Sequence, residues 1–319
     1  MITKNIDIAI AFLQNDKLVG IPTETVYGLA GNAYKDDVVK SIYQVKRRPQ
    51  YNPLILHISA VDKVQEVAKN IPDLAFDLAE KFWPGPLTLI LQKGSQISDR
   101  VTAGLANVAV RVSAHDMTQQ MLNCLDFPLV APSANPFGSV SPTCAIHVQN
   151  YFKRTPLLVL DGGPCVRGIE STIVGFHDDE AVLYRQGSIT EQEIKRVTGS
   201  LNNNLRNDRC PVAPGMLSRH YAPRANTFLT KNVIECIESF NGKRIALLSF
   251  FREKQHPNIL FQEVLSHTAD LSEAARNLYA ALHKLDELCP ELIIAERLPD
   301  IGLGKSINDK LERAAKNTI

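Results

Sequence analysis

Short apolar runs alternate with helix-period stretches along the first two-thirds of the chain. The runs Leu18–Pro22, Leu54–Ser59, Leu87–Gln92, Val108–Val112, Leu129–Ala131, Leu157–Leu160, Ser171–Phe176 and Ala181–Arg185 read as strands. The stretches Asn5–Asn15, Asp36–Lys46, Asp73–Phe82, Met117–Leu122, Cys144–Phe152 and Glu191–Val197 read as helices. The last has Thr190 three residues before Glu193, a capping-box pattern with Thr190 as N-cap. Some strands follow one another without a helix between them. This predicts a twisted, open, mixed α/β sheet, not a strictly parallel one.

The texture changes from about residue 198 to 228. Asparagines, prolines and the Pro214-Gly215 step predict an irregular connector. A connector of this length without regular structure is usually functional. It carries Arg219, His220 and Tyr221, so an ordered loop covering a site is expected. Beyond it, Arg244–Ser249 and Leu292–Ala295 read as buried strands. Leu271–Leu288 reads as a helix with an apolar stripe at Leu271, Ala274, Ala275, Leu278, Leu282, Leu285 and Leu288. The expected organisation is a first domain at 1–197, a connector at 198–228 and a smaller Rossmann-like α/β domain at 229–319. Gly304-Lys305-Ser306 invites a phosphate-loop reading, but the upstream glycine spacing is absent and no strand–loop–helix frame is expected before it.

Composition adds limits. With 319 residues, 45% apolar and 22% charged, the chain can bury a sizeable core. A net charge of +1 provides no global field for nucleic acid or membrane; anion binding must come from local clusters, and RNA contact through one stays open. The six cysteines form no CxxC pair, which predicts reduced cytoplasmic thiols and neither a zinc site nor a disulfide scaffold. The N-terminus lacks a signal-peptide pattern, and no apolar run is long enough to cross a membrane.

Candidate chemistry starts at Lys46-Arg47-Arg48, three consecutive cations between a helix pattern and a strand pattern. The ordinary reading is a solvated helix C-terminus. Three other polar segments sit at strand ends: Pro22–Leu29, Ala131–Thr143 and Gly168–Val174. Each has a plain explanation. Thr23 and Thr25 can cap a following helix, Ser133 and Asn135 can build a proline-enforced turn, and Ser171 and Thr172 suit a strand. Alternation along Val108–Val112 predicts an outward-facing Arg111. Together, however, they assemble hydroxyls, amides and cations with no catalytic-triad order. That profile suits nucleotide and small-acid binding with electrostatic catalysis of phosphoryl or nucleotidyl transfer.

These segments, together with Pro214-Gly215-Met216, Arg219–Pro223 and Gly302–Arg313, resemble the YrdC/Sua5 family in its longer, two-domain form. The resemblance covers nearly the whole chain. It implies a deep basic cavity and an enzyme that joins L-threonine, bicarbonate and ATP into threonylcarbamoyl-AMP and pyrophosphate. The product would feed the t6A modification machinery of tRNA. Mg²⁺ is the implied partner of ATP. By position, Thr25, His57, Arg111, Ser133 and Ser171 are expected on threonine or its carbamate. Lys46, Arg48, Asn52, Asn107, Asn135, Ser141, Arg185 and Tyr221 are expected on ATP or the adenylate, with Lys46 and Arg48 in the catalytic role. Arg47 departs from the family's usual glycine and is expected to point outward; Asn107 departs from its usual threonine. The rival readings are a carbamoyl-phosphate-using enzyme of the same fold, opposed by the absence of its extra regions, and a non-catalytic RNA-binding module.

Overall fold

The computed structural model describes residues 1–205, 211–217, 220–240, 242–315 and 317–318. Eleven strands form the first sheet. They are β1 (Ile2–Thr3), β2 (Val19–Ile21), β3 (Gly28–Asn32), β4 (Ile55–His57), β5 (Leu87–Gln92), β6 (Asn107–Arg111), β7 (Leu129–Val130), β8 (Leu158–Leu160), β9 (Thr172–His177), β10 (Glu180–Arg185) and β11 (Asn202–Asn203). Their order is β1-β8-β2-β3-β7-β4-β6-β5-β9-β10-β11. Pairings of both senses occur: β4 runs parallel to β6, and β5 antiparallel to it. The sheet is mixed, as its apolar spacing predicts.

Eight helices accompany this sheet: α1 (Ile6–Gln14), α2 (Asp36–Lys46), α3 (Val64–Val67), α4 (Asp73–Phe82), α5 (Asp99–Thr102), α6 (Asp116–Asn123), α7 (Ala145–Tyr151) and α8 (Glu191–Thr198). The capping box of α8 forms as read, with Thr190 accepting from the Glu193 amide. Three strands of this sheet, β1, β3 and β11, escape the sequence pattern, and β3 is the longest of them. Its Gly-Leu-Ala-Gly-Asn composition has low strand propensity. Close packing demands the glycine: a Cβ on Gly31 would lie 2.5 Å from a Val38 methyl. The plain explanation of Thr23 and Thr25 as caps of a following helix does not apply, since β3 follows instead.

The remaining strands β12 (Asn226–Thr230), β13 (Ile245–Ser249), β14 (Ile259–Val264), β15 (Leu292–Glu296) and β16 (Asn317–Thr318) form a separate sheet in the order β14-β13-β15-β12-β16. Each of its pairings is parallel. Helices α9 (Val233–Glu238), α10 (Leu271–Glu287) and α11 (Leu303–Ala314) accompany it. A strand–loop–helix frame does precede Lys305, contrary to expectation, because β15 leads into α11. The phosphate-loop glycines are still missing, and Lys305 pairs with Glu191 at 3.7 Å. None of the described helices is long and apolar enough to cross a membrane. One apolar cluster joins the two sheets: Val26, Val140, Ile169 and Tyr221 pack with Leu278, Tyr279 and Leu282 of α10 and with Leu311 of α11.

Candidate functional site

Helix α2 ends where Arg47 adopts the left-handed conformation, φ 52° and ψ 39°. The turn leaves Arg47 exposed and aims its two neighbours inward, with Lys46 and Arg48 buried to 1% and 7% exposure. A cation run at a helix C-terminus is therefore not a solvated face here. Arg48 donates from Nε to the Asn52 carbonyl at 3.0 Å and from Nη2 to Asn52 Oδ1 at 2.6 Å. Burial lowers its pKa to about 10, so it stays cationic at neutral pH. Lys46 takes a different place. Its Nζ donates to the carbonyls of Ser133 and Asn135, and burial, aided by the Arg48 charge, pushes its pKa far below the usual lysine value.

A cleft of about 550 Å³ opens beside this turn. Its wall includes Thr23, Thr25, Arg48, His57, Arg111, Ser133, Glu170, Ser171, Arg185, His220 and Tyr221. Strand β6 delivers Arg111, which is buried rather than outward-facing. Both faces of this central strand are covered, so an arginine there needs a partner. Glu24 is that partner: Arg111 Nη2 donates to its Oε1 at 2.6 Å, and Ser113 Oγ to its Oε2 at 2.6 Å. Burial alone would raise the Glu24 pKa; Arg111 and Ser113 outweigh it and hold the carboxyl below its ordinary value.

Arg185 reaches the same cleft from β10. It donates to the Ser171 carbonyl at 3.0 Å, to Ser171 Oγ at 2.9 Å and to the Pro214 carbonyl at 3.2 Å. The connector closes this side. Gly215 sits at φ +87°, where a Cβ would lie 2.8 Å from Arg185 Cδ and 2.9 Å from Tyr221 Oη. Tyr221 itself has φ +62°. Its neighbour Arg219 lies outside the described residues, as do Ser218 and Cys210.

Besides Arg48, seven of the residues expected on the ligands reach the wall itself: Thr25, His57, Arg111, Ser133, Ser171, Arg185 and, from the connector, Tyr221. Asn52, Asn135 and Ser141 lie buried behind it. Asn107 is not brought to the site. It is exposed at the other end of β6, paired with Gln92, four residues from Arg111 and so about 13 Å away. Four buried polar atoms here have no protein partner: Asn52 Nδ2, His57 Nδ1, Asn135 Oδ1 and His220 Nδ1. Orphaned buried atoms are uncommon, and a cluster of them marks a place where a polar ligand completes the bonding. Burial, with Arg111 second, brings the His57 pKa down to about 3, so its ring is neutral. Sequence reasoning missed Glu24 and Glu170 as members. An acid in each of two quoted strand-end segments was the available signal, because buried arginines require counter-charges.

Comparisons with known proteins cover nearly the whole chain. Residues 11–187 match the Sua5/YciO/YrdC family, described as "Telomere recombination". Residues 189–316 match the family described as "Threonylcarbamoyl-AMP synthase, C-terminal domain". The chain is 38% identical to the threonylcarbamoyl-AMP synthase of Bacillus subtilis over 322 residues, covering 98% of this chain and 93% of that one. The Pyrococcus abyssi enzyme of the same name is 36% identical, with coverages of 97% and 94%. The crystal structure of P. abyssi Sua5 complexed with L-threonine superposes with a TM-score of 0.90 at 35% identity, over 98% of this chain and 96% of that one. With its two matched regions, its shared architecture and its buried arginine-lined cleft, the chain belongs to the Sua5 family of threonylcarbamoyl-AMP synthases.

Proposed function

We propose that this chain is a nucleotidyltransferase that converts L-threonine, bicarbonate and ATP into L-threonylcarbamoyladenylate and pyrophosphate, the first step of t6A formation on tRNA. One observation carries the reading: Arg48, Arg111 and Arg185 converge on one cleft among the hydroxyls of Thr23, Thr25, Ser133 and Ser171. The threonine amine captures bicarbonate as a carbamate, with loss of water. A carbamate oxygen then attacks the α-phosphorus of ATP, and pyrophosphate leaves with the electron pair of the broken P–O bond. Both reactants are anions, and the arginines offset their repulsion as charge builds on the phosphates. A carbamate is already nucleophilic, so no general base is needed; a neutral His57 fits a binding role.

Arg111, with Thr25, His57, Ser133 and Ser171, takes the threonine carboxylate and hydroxyl; a guanidinium matches a carboxylate edge-on. Arg48, Arg185 and Tyr221 take the nucleotide, backed by Asn52, Asn135 and Ser141. Lys46 fixes two carbonyls of the Ser133–Asn135 turn. No cluster of three or more metal-binding side chains occurs among the described residues, and Glu170 is the carboxylate on the described wall. That donor set fits Mg²⁺ carried on phosphate oxygens, not a protein-built cage. Bound with ATP, the ion supplies further neutralisation of phosphate charge. The product anhydride is labile to water, and the connector's seating over the cleft excludes it. The reaction fits a cytoplasmic enzyme whose product passes to later tRNA-modifying partners.

Incubation with ATP, Mg²⁺, threonine and bicarbonate tests this directly. Mass spectrometry is expected to show the adenylate only when threonine and bicarbonate are both present. Pyrophosphate release that ignores both overturns the reading.

A further inference from the structure

Glu170 stands apart from the basic wall it belongs to. Its two carboxylate oxygens are both occupied, one from the loop before α7 and one from α10. Oε1 accepts from Ser141 Oγ at 2.6 Å, and Oε2 accepts from Tyr279 Oη at 2.7 Å. Tyr279 lies on α10, beside the second sheet, and is fully buried. One turn further along the same helix, His283 Nε2 meets the Ser141 carbonyl at 3.1 Å. Positions four apart share a helix face, so α10 grips Ser141 twice: through its side chain by way of Glu170, and at its backbone.

The two gripping side chains are themselves fixed. The Tyr279 ring lies 5.7 Å from the Tyr221 ring at 31°, and Tyr221 walls the cleft. The His283 ring stacks on His147 of α7 at 3.9 Å and 22°. A side chain held on several sides transmits its position to its partner.

We propose that Tyr279 and His283 are positioning residues for the nucleotide end of the cleft, acting through Glu170 and Ser141. The proposal rests on the assignment of ATP to the Arg48–Arg185 side. It means that the second domain is built into the nucleotide site as well as covering it. Of the threonine-side groups, Ser171 is the sequence neighbour of Glu170, but its hydroxyl pairs with Thr88 and Arg185; Thr25, His57 and Arg111 are held from the Thr23–Thr25 turn, β4 and β6.

Isothermal titration of the full-length chain with ATP and, separately, with threonine tests it. Tyr279→Phe keeps the ring and removes one donor to a charged acceptor. It is expected to raise the ATP Kd at least about tenfold, with the threonine Kd unchanged within about twofold. Ser141→Ala combined with Tyr279→Phe is expected to lose no more ATP affinity than Ser141→Ala alone, because the two act in one path. Should Tyr279→Phe not fold, His283→Leu compared with His283→Gln reads the same grip, with glutamine retaining ATP affinity as a donor and leucine losing it. Additive losses, equal losses for both ligands, or an unaltered ATP Kd overturn the proposal. A wild-type chain that binds ATP but makes no adenylate strikes the parent reading and leaves this one standing; a wild-type chain that binds no ATP ends both.

Discussion

Single side chains in this protein are charged according to what surrounds them. Arg48 keeps its proton at neutral pH although buried, whereas burial opposes the charge on Lys46 and His57. Arg48→Ala should therefore remove a preorganised charge, slowing pyrophosphate release by about 2–4 kcal/mol in activation free energy; steady-state kinetics with a pyrophosphate-coupled assay reads it. His57 gives a pH prediction. Its folded pKa of about 3 lies below the ordinary 6.5, so between these values the unfolded chain binds more protons than the folded one. The stability it contributes is complete above pH 6.5 and drains away as pH falls toward 3. Melting temperatures recorded from pH 7 to 4 should fall, and His57→Asn should flatten that fall; equal slopes for both proteins would contradict the assignment. Alternation along β6 could not reveal that Arg111 is buried. It reports which face a residue occupies, and both faces here are covered. The arginine's fate depends on Glu24, a residue 87 positions away.

At the scale of elements, regular periodicity was readable and close approach was not. Helices α2 and α4 begin and end where apolar spacing places them, and β5 does the same. Strand β3 was invisible, since its glycines exist to admit neighbours, not to favour extension. The connector was recognised from its prolines, but its contacts come from elsewhere: Arg313 of α11 donates to the Leu217 carbonyl at 2.6 Å, and the His220 amide donates to the Arg313 carbonyl at 3.0 Å. At Gly215 of the connector a side chain does not fit. Gly215→Ala would force a side chain into φ +87° against Arg185 and Tyr221. A left-handed alanine alone costs about 1–2 kcal/mol. ATP affinity should drop by about tenfold or more, measurable by calorimetry, with threonine binding affected less.

Across the whole molecule, the two sheets share an apolar cluster, so neither half has a surface designed for water where they meet. A fragment ending at residue 205 should retain the first sheet yet lose roughly a hundredfold or more in turnover, because Pro214, Gly215, His220 and Tyr221 leave the cleft. Adenylate formation by the fragment at the full-length rate would show that these residues are not part of the working site. Charge is organised inward at this scale. With a net charge of +1 and its key arginines buried, the chain should bind RNA weakly. The salt dependence should be shallow, equivalent to fewer than about three phosphate contacts. A steep slope in a filter-binding salt titration would favour the RNA-module reading over the enzyme.

Apolar spacing along the chain was enough to determine a mixed sheet, most of its helices and the presence of polar, cation-bearing strand ends, because local periodicity decides which face of an element meets a core. The motif resemblance added a reaction and a set of residues. Only tertiary structure decided which of them meet: Arg48, Arg111 and Arg185 share a wall, Lys46 turns onto carbonyls, and Asn107 is left at the far end of its strand. Those outcomes depend on contacts between residues distant in sequence. A buried charge takes its place from the partner that stabilises it, and the identity of that partner is a property of the folded chain, not of its neighbours in sequence.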